Sequence, residues 1–151
     1  QLRPYEAGEK KIHIINPFIF HALRAWSLNP AGDSFKASVE FLSSTENKSK
    51  LVEGVLGDHL ARATFNFRPT DIYDVSSNVF YWRTKKGHEI DYILKNGDKA
   101  YAFDVTYQNQ LAAQDYIALR RFGAGCMVSK HQFAVNHAIV TVPVSVFLMY
   151  I

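Results

Sequence analysis

Several features that would assign a function at once are missing from this chain of 151 residues. Its one cysteine, Cys126, excludes an internal disulfide framework and a zinc cluster built on cysteines, and favours a reducing compartment. No apolar run is long enough to cross a membrane, and the first residues lack the basic flank and apolar core of a signal peptide. These absences predict a soluble, cytoplasmic protein with no membrane partner.

Recognisable nucleotide-binding and hydrolase motifs are also lacking. No glycine-rich phosphate loop follows a strand pattern, so hydrolysis of ATP by this chain alone is not expected. None of the six histidines pairs with another at the spacing of a zinc protease. No nucleophile elbow supports a Ser-His-Asp triad. The enzyme classes that depend on these motifs are therefore excluded as starting hypotheses.

The composition that is present suffices for one folded unit. With 48% hydrophobic residues, the chain is long enough to bury a proper core but short for two domains, so residues 1–151 are expected to form a single domain. Seventeen basic residues against 14 acidic ones give a net charge of +3, which permits nucleic acid as a partner without demanding it. The chain begins with Gln1 rather than methionine, which suggests a piece excised from a longer polypeptide.

Hydrophobic periodicity and helix-capping residues predict the order of the elements. Asn16 and Pro17 are typical of a helix cap and a first helical residue. Helices are expected at about residues 17–28, 33–42, 48–63 and 111–122, and strands at about residues 79–83, 89–95, 98–106, 126–129 and 138–142. Residues 65–75 favour a strand or a loop. Three helices, a strand meander, a helix and more strands predict an α/β fold, with a central mixed sheet flanked by helices.

A predicted hairpin within residues 78–110 is the segment on which most of the functional interpretation depends. Its centre, Asn96-Gly97, favours a two-residue type I′ turn, in which both central residues have positive φ. Lys95 and Asp98 would then flank the turn as a pair. This assignment fixes which residues lie opposite one another along the two strands.

That register gathers acidic side chains on one face of the hairpin. Asp91 is expected opposite Ala102, and Glu89 opposite Asp104. Asp91 and Asp104 would then be diagonal neighbours about 7 to 8 Å apart, within reach of a shared hard cation. The opposite, apolar face is expected to contain Ile90, Tyr92, Leu94, Tyr101, Phe103, Val105 and Tyr107. The pattern alone leaves two interpretations open, a metal site or ordinary solvated acids that nearby lysines neutralise.

The sequence of this hairpin resembles a known family signature. YWRTKKGHEIDYIL, followed by AYAFDVT, is similar to Y-W-R-x-x-x-G-x-E-[IV]-D-[FY]-[IVL]-L followed by E-V-K. That signature marks the C-terminal module of many bacterial and archaeal AAA-type ATPases, a domain of unknown function with a restriction-endonuclease-like fold of the PD-(D/E)XK type. Residues 14–18, 50–60 and 114–122 resemble further segments of the family, so the resemblance extends from about residue 12 to the C-terminus.

The resemblance implies a metal site. In nucleases with this fold, a helix glutamate and two strand acids hold one or two magnesium ions, and a lysine two residues after the last acid assists the attacking water. Glu53, Asp91 and Asp104 match the three acids, which implies Mg²⁺ or Mn²⁺ as the cofactor. Glu89 is interpreted as a solvated acid or an additional ligand. Thr106 occupies the lysine position and supplies no positive charge, which argues against catalysis.

Two hypotheses of function follow. The first is a nuclease-like domain with Mg²⁺-dependent DNA binding or phosphodiester cleavage, in which Glu53, Asp91 and Asp104 form the site. The second is a catalytically degenerate interaction or regulatory domain, attached to an AAA-type ATPase domain on the same polypeptide or on another chain. The acids favour the first hypothesis and Thr106 favours the second. The sequence leaves the oligomeric state open.

Overall fold

A computed structural model describes residue 14 and residues 16–28, 31–63, 76, 78–84 and 87–151. The helices are α1 (Pro17–Leu28), α2 (Ser34–Phe41), α3 (Thr45–Ala63), α4 (Ile117–Phe122) and α5 (Val144–Tyr150). The strands are β1 (Val79–Arg83), β2 (Glu89–Asn96), β3 (Lys99–Thr106), β4 (Gly125–Ser129), β5 (Ala134–Asn136) and β6 (Ile139–Pro143). None of the helices in the described ranges is long and apolar enough to cross a membrane.

The six strands form one mixed sheet in the order β1-β2-β3-β4-β6-β5. β1, β2 and β3 are antiparallel neighbours, β3, β4 and β6 run parallel, and β5 pairs antiparallel with β6 at the edge. Because parallel neighbours need a crossover connection, a short 3₁₀ helix (Ala113–Tyr116) and α4 join β3 to β4. The predicted α/β fold with a mixed sheet and flanking helices is confirmed.

The turn between β2 and β3 differs from the predicted one. Asn96 pairs with Lys99, so the two turn residues are Gly97 and Asp98. Gly97 has a φ of 61°, and no other residue of this fully described hairpin has a positive φ. A type II′ turn, which needs a left-handed residue only at its first central position, accounts for that pattern. The predicted type I′ turn over Asn96 and Gly97 is therefore wrong.

The cross-strand pairs change with the turn. Ile93, rather than Asp91, lies opposite Ala102. Extending the observed ladder by one pair beyond Tyr92↔Phe103 brings Asp91 opposite Asp104, where Glu89 was predicted. A shift of two residues keeps the alternation of faces, so the turn alone does not move any side chain to the other side of the sheet.

A β-bulge in β2 does move side chains between faces. Phe80 pairs with Ile93 but Trp82 pairs with Ile90, so Asp91 and Tyr92 both lie opposite the single residue Tyr81. Ile90 consequently packs with Ile93 in one buried cluster. The prediction that Ile90 shares a face with Tyr92 is therefore wrong.

Helices cover both faces of the sheet. On one side, which we call the α3 face, α3 and α5 pack over a cluster that includes Leu56, Leu60, Tyr92, Leu94 and Val128. On the other side, the α4 face, α4 packs over a cluster that includes Ile90, Ile93, Ala102, Leu119 and Met127. Ile93 and Ala102, which belong to the face of the hairpin that was predicted to carry the acids, are buried under α4.

The helix boundaries follow the predicted capping signals, except that α4 begins at Ile117 rather than at about residue 111, after the 3₁₀ helix. Asn16 Oδ1 accepts a hydrogen bond from the Phe18 backbone N–H at 2.9 Å, and Asp33 Oδ1 accepts one from the Lys36 N–H at 3.0 Å. Gly123, with a φ of 100°, ends α4 as predicted. The sequence patterns missed β5 and α5, and the predicted strand or loop at residues 65–75 lies outside the described residues.

Candidate functional site

Glu53 lies in the part of α3 that packs on β2 and β3. The Tyr92 hydroxyl donates a hydrogen bond to the Glu53 carbonyl oxygen at 2.9 Å. The tyrosine ring reaches α3 because residue 57 is glycine: a Cβ atom there would lie 2.6 Å from Tyr92 Oη and 2.8 Å from Cζ. One carboxylate oxygen of Glu53, Oε1, has no contact with solvent. The sequence therefore positions Glu53 through a close contact between a helix and a strand.

Asp91 has a structural contact at the bulge. The backbone N–H of Val105, two residues beyond Phe103 in the last ladder pair Tyr92↔Phe103, donates to Asp91 Oδ2 at 2.9 Å. In a regular ladder the Val105 N–H would donate to a backbone carbonyl oxygen of β2. Here it donates to the Asp91 carboxylate instead. This contact connects the start of β2 to the end of β3, and it brings Asp91 next to the chain segment that carries Asp104.

Asp104 lies on β3 between two residues that pack under the α3 face. Phe103 and Val105 belong to the α3-face cluster, whereas Ala102 is buried in the α4-face cluster. Alternation therefore directs Asp104 and Thr106 away from α3. Glu53 is carried by α3, which covers the α3 face, whereas alternation directs Asp104 of β3 towards the α4 face.

The three predicted acids are not grouped as a metal centre in this arrangement. In the part of the chain that the structure describes, which includes Glu53, Asp91 and Asp104, no three His, Cys, Asp or Glu side chains are arranged to hold a metal ion. A hard divalent cation requires several oxygen ligands at short distances. The structure brings Asp91 and Asp104 onto adjacent strands, and a Mg²⁺ site formed by Glu53, Asp91 and Asp104 stays a prediction.

Glu89 and Thr106 complete the predicted set. Glu89 Oε2 lies 3.9 Å from Arg83 Nε across the β1–β2 pair, a partly exposed ion pair that contributes little to stability. Thr106 ends β3 and pairs with Ser129 of the parallel strand β4. Thr106, which stands where the resemblance implies a lysine, therefore lies at the carboxyl ends of the parallel strands β3 and β4.

The sequence patterns missed a polar cleft at that same end of the sheet. It has a volume of about 500 Å³ and is lined by Thr45, Glu46, Lys48, Ser49, Tyr107, Gln108, Asn109 and Lys130. These residues come from three separate segments with no shared motif. The one sequence signal was general: loops at the carboxyl ends of parallel strands often form ligand sites.

Cys126 is a partly buried residue beneath the α3 face. Burial raises the pKa of its thiol from 9.0 to about 11, because the thiolate would lose hydration. The folded state therefore holds the thiol proton more tightly than the unfolded state. The resulting pH dependence is a loss of stability as the pH rises from 9 towards 11, where the unfolded thiol ionises first.

We expect alkylation of Cys126 to be slow in the folded protein. Below pH 9, the raised pKa lowers the thiolate fraction about 100-fold relative to an ordinary thiol, and the thiolate is the reacting species. The measurement is the rate of iodoacetamide labelling at pH 8, with urea-unfolded protein as the control. Equal rates in the folded and unfolded states would contradict the prediction.

The helices α1 and α2 carry an exposed apolar surface. They pack on each other through Phe20, His21 and Arg24 of α1 around Phe41 of α2, with ring centroids 5.1 Å apart for Phe20 and Phe41. Within the described residues, α2 is the one element that α1 contacts extensively, and neither helix contains a buried residue.

The apolar side chains that do not enter this contact are largely exposed. Phe18 is 80% exposed, Trp26 73% and Phe35 78%. Ile19, Leu23 and Val39 on the same two helices are at least half exposed. We call Phe18, Ile19, Leu23, Trp26, Phe35 and Val39 the α1–α2 apolar face. Single exposed apolar residues are ordinary, but six of them on two packed helices suggest an interaction surface.

Comparison with known proteins gives a family and no closer relative. The profile of a family described as Domain of unknown function (DUF4143) matches residues 48–145, which is more than half of the chain. The matched region contains most of α3, the sheet and α4, together with all three predicted acids. Neither a curated protein nor a solved structure matches the chain significantly.

Proposed function

The chain belongs to the family described as Domain of unknown function (DUF4143), and we propose that it is a non-catalytic interaction domain that docks an AAA-type ATPase domain through the α1–α2 apolar face. The exposure of Phe18, Trp26 and Phe35 is the observation that carries this proposal. Tryptophan and phenylalanine are enriched at the cores of protein interfaces relative to the rest of the surface. Burying these three against a partner would remove a large apolar area from water.

The choice of an ATPase domain as the partner rests on the resemblance of residues 79–105 to the ATPase-associated signature. We infer a restriction-endonuclease-like fold on the same basis. The topology supports it, because an antiparallel hairpin is followed by a crossover helix and a parallel strand. The partner domain lies on the same polypeptide or on another chain, and α1 and α2 provide the contact in either case.

Three features of the hairpin support a domain without catalytic activity. Thr106 stands where the resemblance implies a lysine, and it supplies neither a positive charge nor a titratable amine. Asp91 Oδ2 accepts a hydrogen bond from the Val105 backbone N–H. Alternation along β3 directs Asp104 away from the helix that carries Glu53.

Docking can be measured by titrating a separately expressed ATPase domain into this domain. We expect Phe35→Ser to weaken the affinity about tenfold or more, because it removes an exposed aromatic anchor from α2. Phe133→Ser is the matched control: Phe133 is 70% exposed but precedes β5 at the edge of the sheet. Equal affinities for wild type and Phe35→Ser, or no binding by wild type, would contradict the proposal.

A second candidate function, a Mg²⁺-dependent nuclease-like domain that binds or cleaves DNA, is favoured by one observation. Asp91 and Asp104 would face each other on adjacent strands if the β2–β3 register continued by one pair beyond Tyr92↔Phe103. Glu53, whose Oε1 is buried, is the third acid of this candidate site. Calorimetry with Mn²⁺ tests this candidate, since Asp91→Ala and Asp104→Ala should each abolish binding, and a plasmid-nicking assay then separates binding from cleavage. Absence of Mn²⁺ binding by wild type would exclude this second candidate function.

A further inference from the structure

We propose that the polar cleft at the carboxyl ends of β3 and β4 is a binding site for a small phosphate monoester of about nucleotide size. It is separate from the α1–α2 apolar face, so the inference goes beyond the proposed docking function. The position of the cleft in the sheet, the charge of its walls, the contacts that fix those walls and its size are those of such a site.

The position of the cleft follows from the parallel pairing of β3 and β4. Thr106 and Ser129 are paired at the ends of these strands, so the chain leaves both strands at the same edge. Tyr107, Gln108 and Asn109 continue from β3, and Lys130 continues from β4. The first turns of α3 form the remaining wall. In open α/β sheets, ligands bind in the crevice outside the carboxyl ends of the strands.

The walls have an excess of positive charge. Lys48 and Lys130 are both half-buried and line the cleft, Lys48 from α3 and Lys130 from the loop after β4. The one acidic lining residue, Glu46, is already paired with Lys50 at 2.7 Å. Among the described residues, neither Lys48 nor Lys130 forms an ion pair with a carboxylate. Two unneutralised ammonium groups match the charge of a phosphate monoester.

Side-chain contacts fix the walls in place. Lys130 Nζ donates to Asn109 Oδ1 at 2.7 Å and lies 5.7 Å from the centre of the Tyr107 ring. The backbone N–H of Tyr107 donates to Ser49 Oγ at 3.3 Å, which connects the end of β3 to α3. Gln132 Nε2 donates to the Asn109 carbonyl oxygen at 3.4 Å. Lys130 is therefore held at the cleft before a ligand arrives, which lowers the entropic cost of binding.

The size and lining of the cleft indicate the rest of the ligand. A volume of about 500 Å³ lies within the usual range for small-molecule sites. Hydroxyl and amide groups of Thr45, Ser49, Gln108 and Asn109 can exchange hydrogen bonds with sugar hydroxyls, and the Tyr107 ring offers an aromatic surface. A phosphate attached to a polar organic group fits this combination.

Titration with adenosine monophosphate, inorganic phosphate and adenosine, followed by nuclear magnetic resonance of the backbone amides, tests the proposal. We expect adenosine monophosphate to shift the amides of residues 45–49, 107–109 and 130 saturably. Inorganic phosphate should shift the same amides more weakly. Adenosine, which lacks the phosphate, should leave them unchanged. Binding of adenosine as tight as that of adenosine monophosphate, or no saturable shifts, would overturn the proposal.

Charge variants provide the second arm of the experiment. Lys130→Gln and Lys48→Gln should each weaken the binding of adenosine monophosphate about fivefold or more, since each removes one of two charge-assisted contacts. Lys99→Gln makes the same change of charge at the opposite end of β3, about 23 Å along the strand, and should have no effect. Equal weakening by all three variants would show non-specific attraction and overturn the site. Thermal unfolding of each variant establishes that it is folded.

Discussion

Replacing Asp91 with alanine is expected to lower the free energy of unfolding by about 1–3 kcal/mol, with or without Mg²⁺. The Val105 backbone N–H donates to Asp91 Oδ2 at 2.9 Å beyond the end of the β2–β3 ladder. Without the carboxylate, this partly buried donor loses its acceptor. Asp91→Asn keeps a side-chain oxygen at the same position and should lose less than half as much stability. Urea denaturation in EDTA measures both variants.

The sign of this effect distinguishes a structural acid from a metal ligand. Two ligating carboxylates on facing strands repel each other when no cation is bound, so removing one would stabilise the metal-free protein. The free energy of unfolding of Asp104→Ala in EDTA is measured for comparison, because Asp104 would face Asp91 if the β2–β3 register continued by one pair. An Asp91→Ala variant more stable than wild type in EDTA would contradict the structural role that we assign to Asp91.

Replacing Gly57 with alanine is expected to destabilise the protein by about 1 kcal/mol net. The added Cβ would lie 2.6 Å from Tyr92 Oη and 2.8 Å from Cζ, and the ring cannot retreat without leaving the Glu53 carbonyl. Overpacking of this kind costs about 1–3 kcal/mol, against a gain of about 0.5–1 kcal/mol for alanine over glycine within a helix. Urea denaturation measures the net effect.

A double-mutant cycle isolates the cause. In a Tyr92→Ala background the ring is absent, so Gly57→Ala should become neutral or stabilising, because only the helix propensity of alanine remains. Tyr92→Ala on its own loses the hydrogen bond to Glu53 and buried apolar area. This cost is common to both proteins of the Tyr92→Ala background, so it cancels when the effect of Gly57→Ala is calculated. An unchanged cost of Gly57→Ala in both backgrounds would show that the close contact with Tyr92 is not its origin.

Much of the fold could be predicted from local signals. The cap at Asn16, the stop at Gly123 and the alternation within the hairpin each depend on a few neighbouring residues, and each gave the right element. The hairpin register failed because Asn-Gly favours a type I′ turn, whereas the chain uses Gly97 and Asp98 in a type II′ turn. Both turns contain the same glycine, so the local pattern does not separate them.

The site was harder to predict because it depends on contacts between distant segments. The bulge at Asp91 and Tyr92 is defined by the pairing of β2 with β1, and nothing in the sequence of β2 marks it. The resemblance implied Glu53 as a partner of Asp91 and Asp104, and this grouping depends on how α3 packs on the sheet, which no local sequence pattern encodes. The polar cleft combines three segments that are distant in sequence.

Amide hydrogen exchange of this domain, with and without the ATPase domain, tests the interaction function most directly. We expect added protection to be concentrated in α1 and α2, because the α1–α2 apolar face becomes buried. The hairpin of β2 and β3, which carries Asp91 and Asp104, should be unchanged. Protection of the hairpin without protection of α1 and α2, or no protection anywhere, would contradict a docking function for this face.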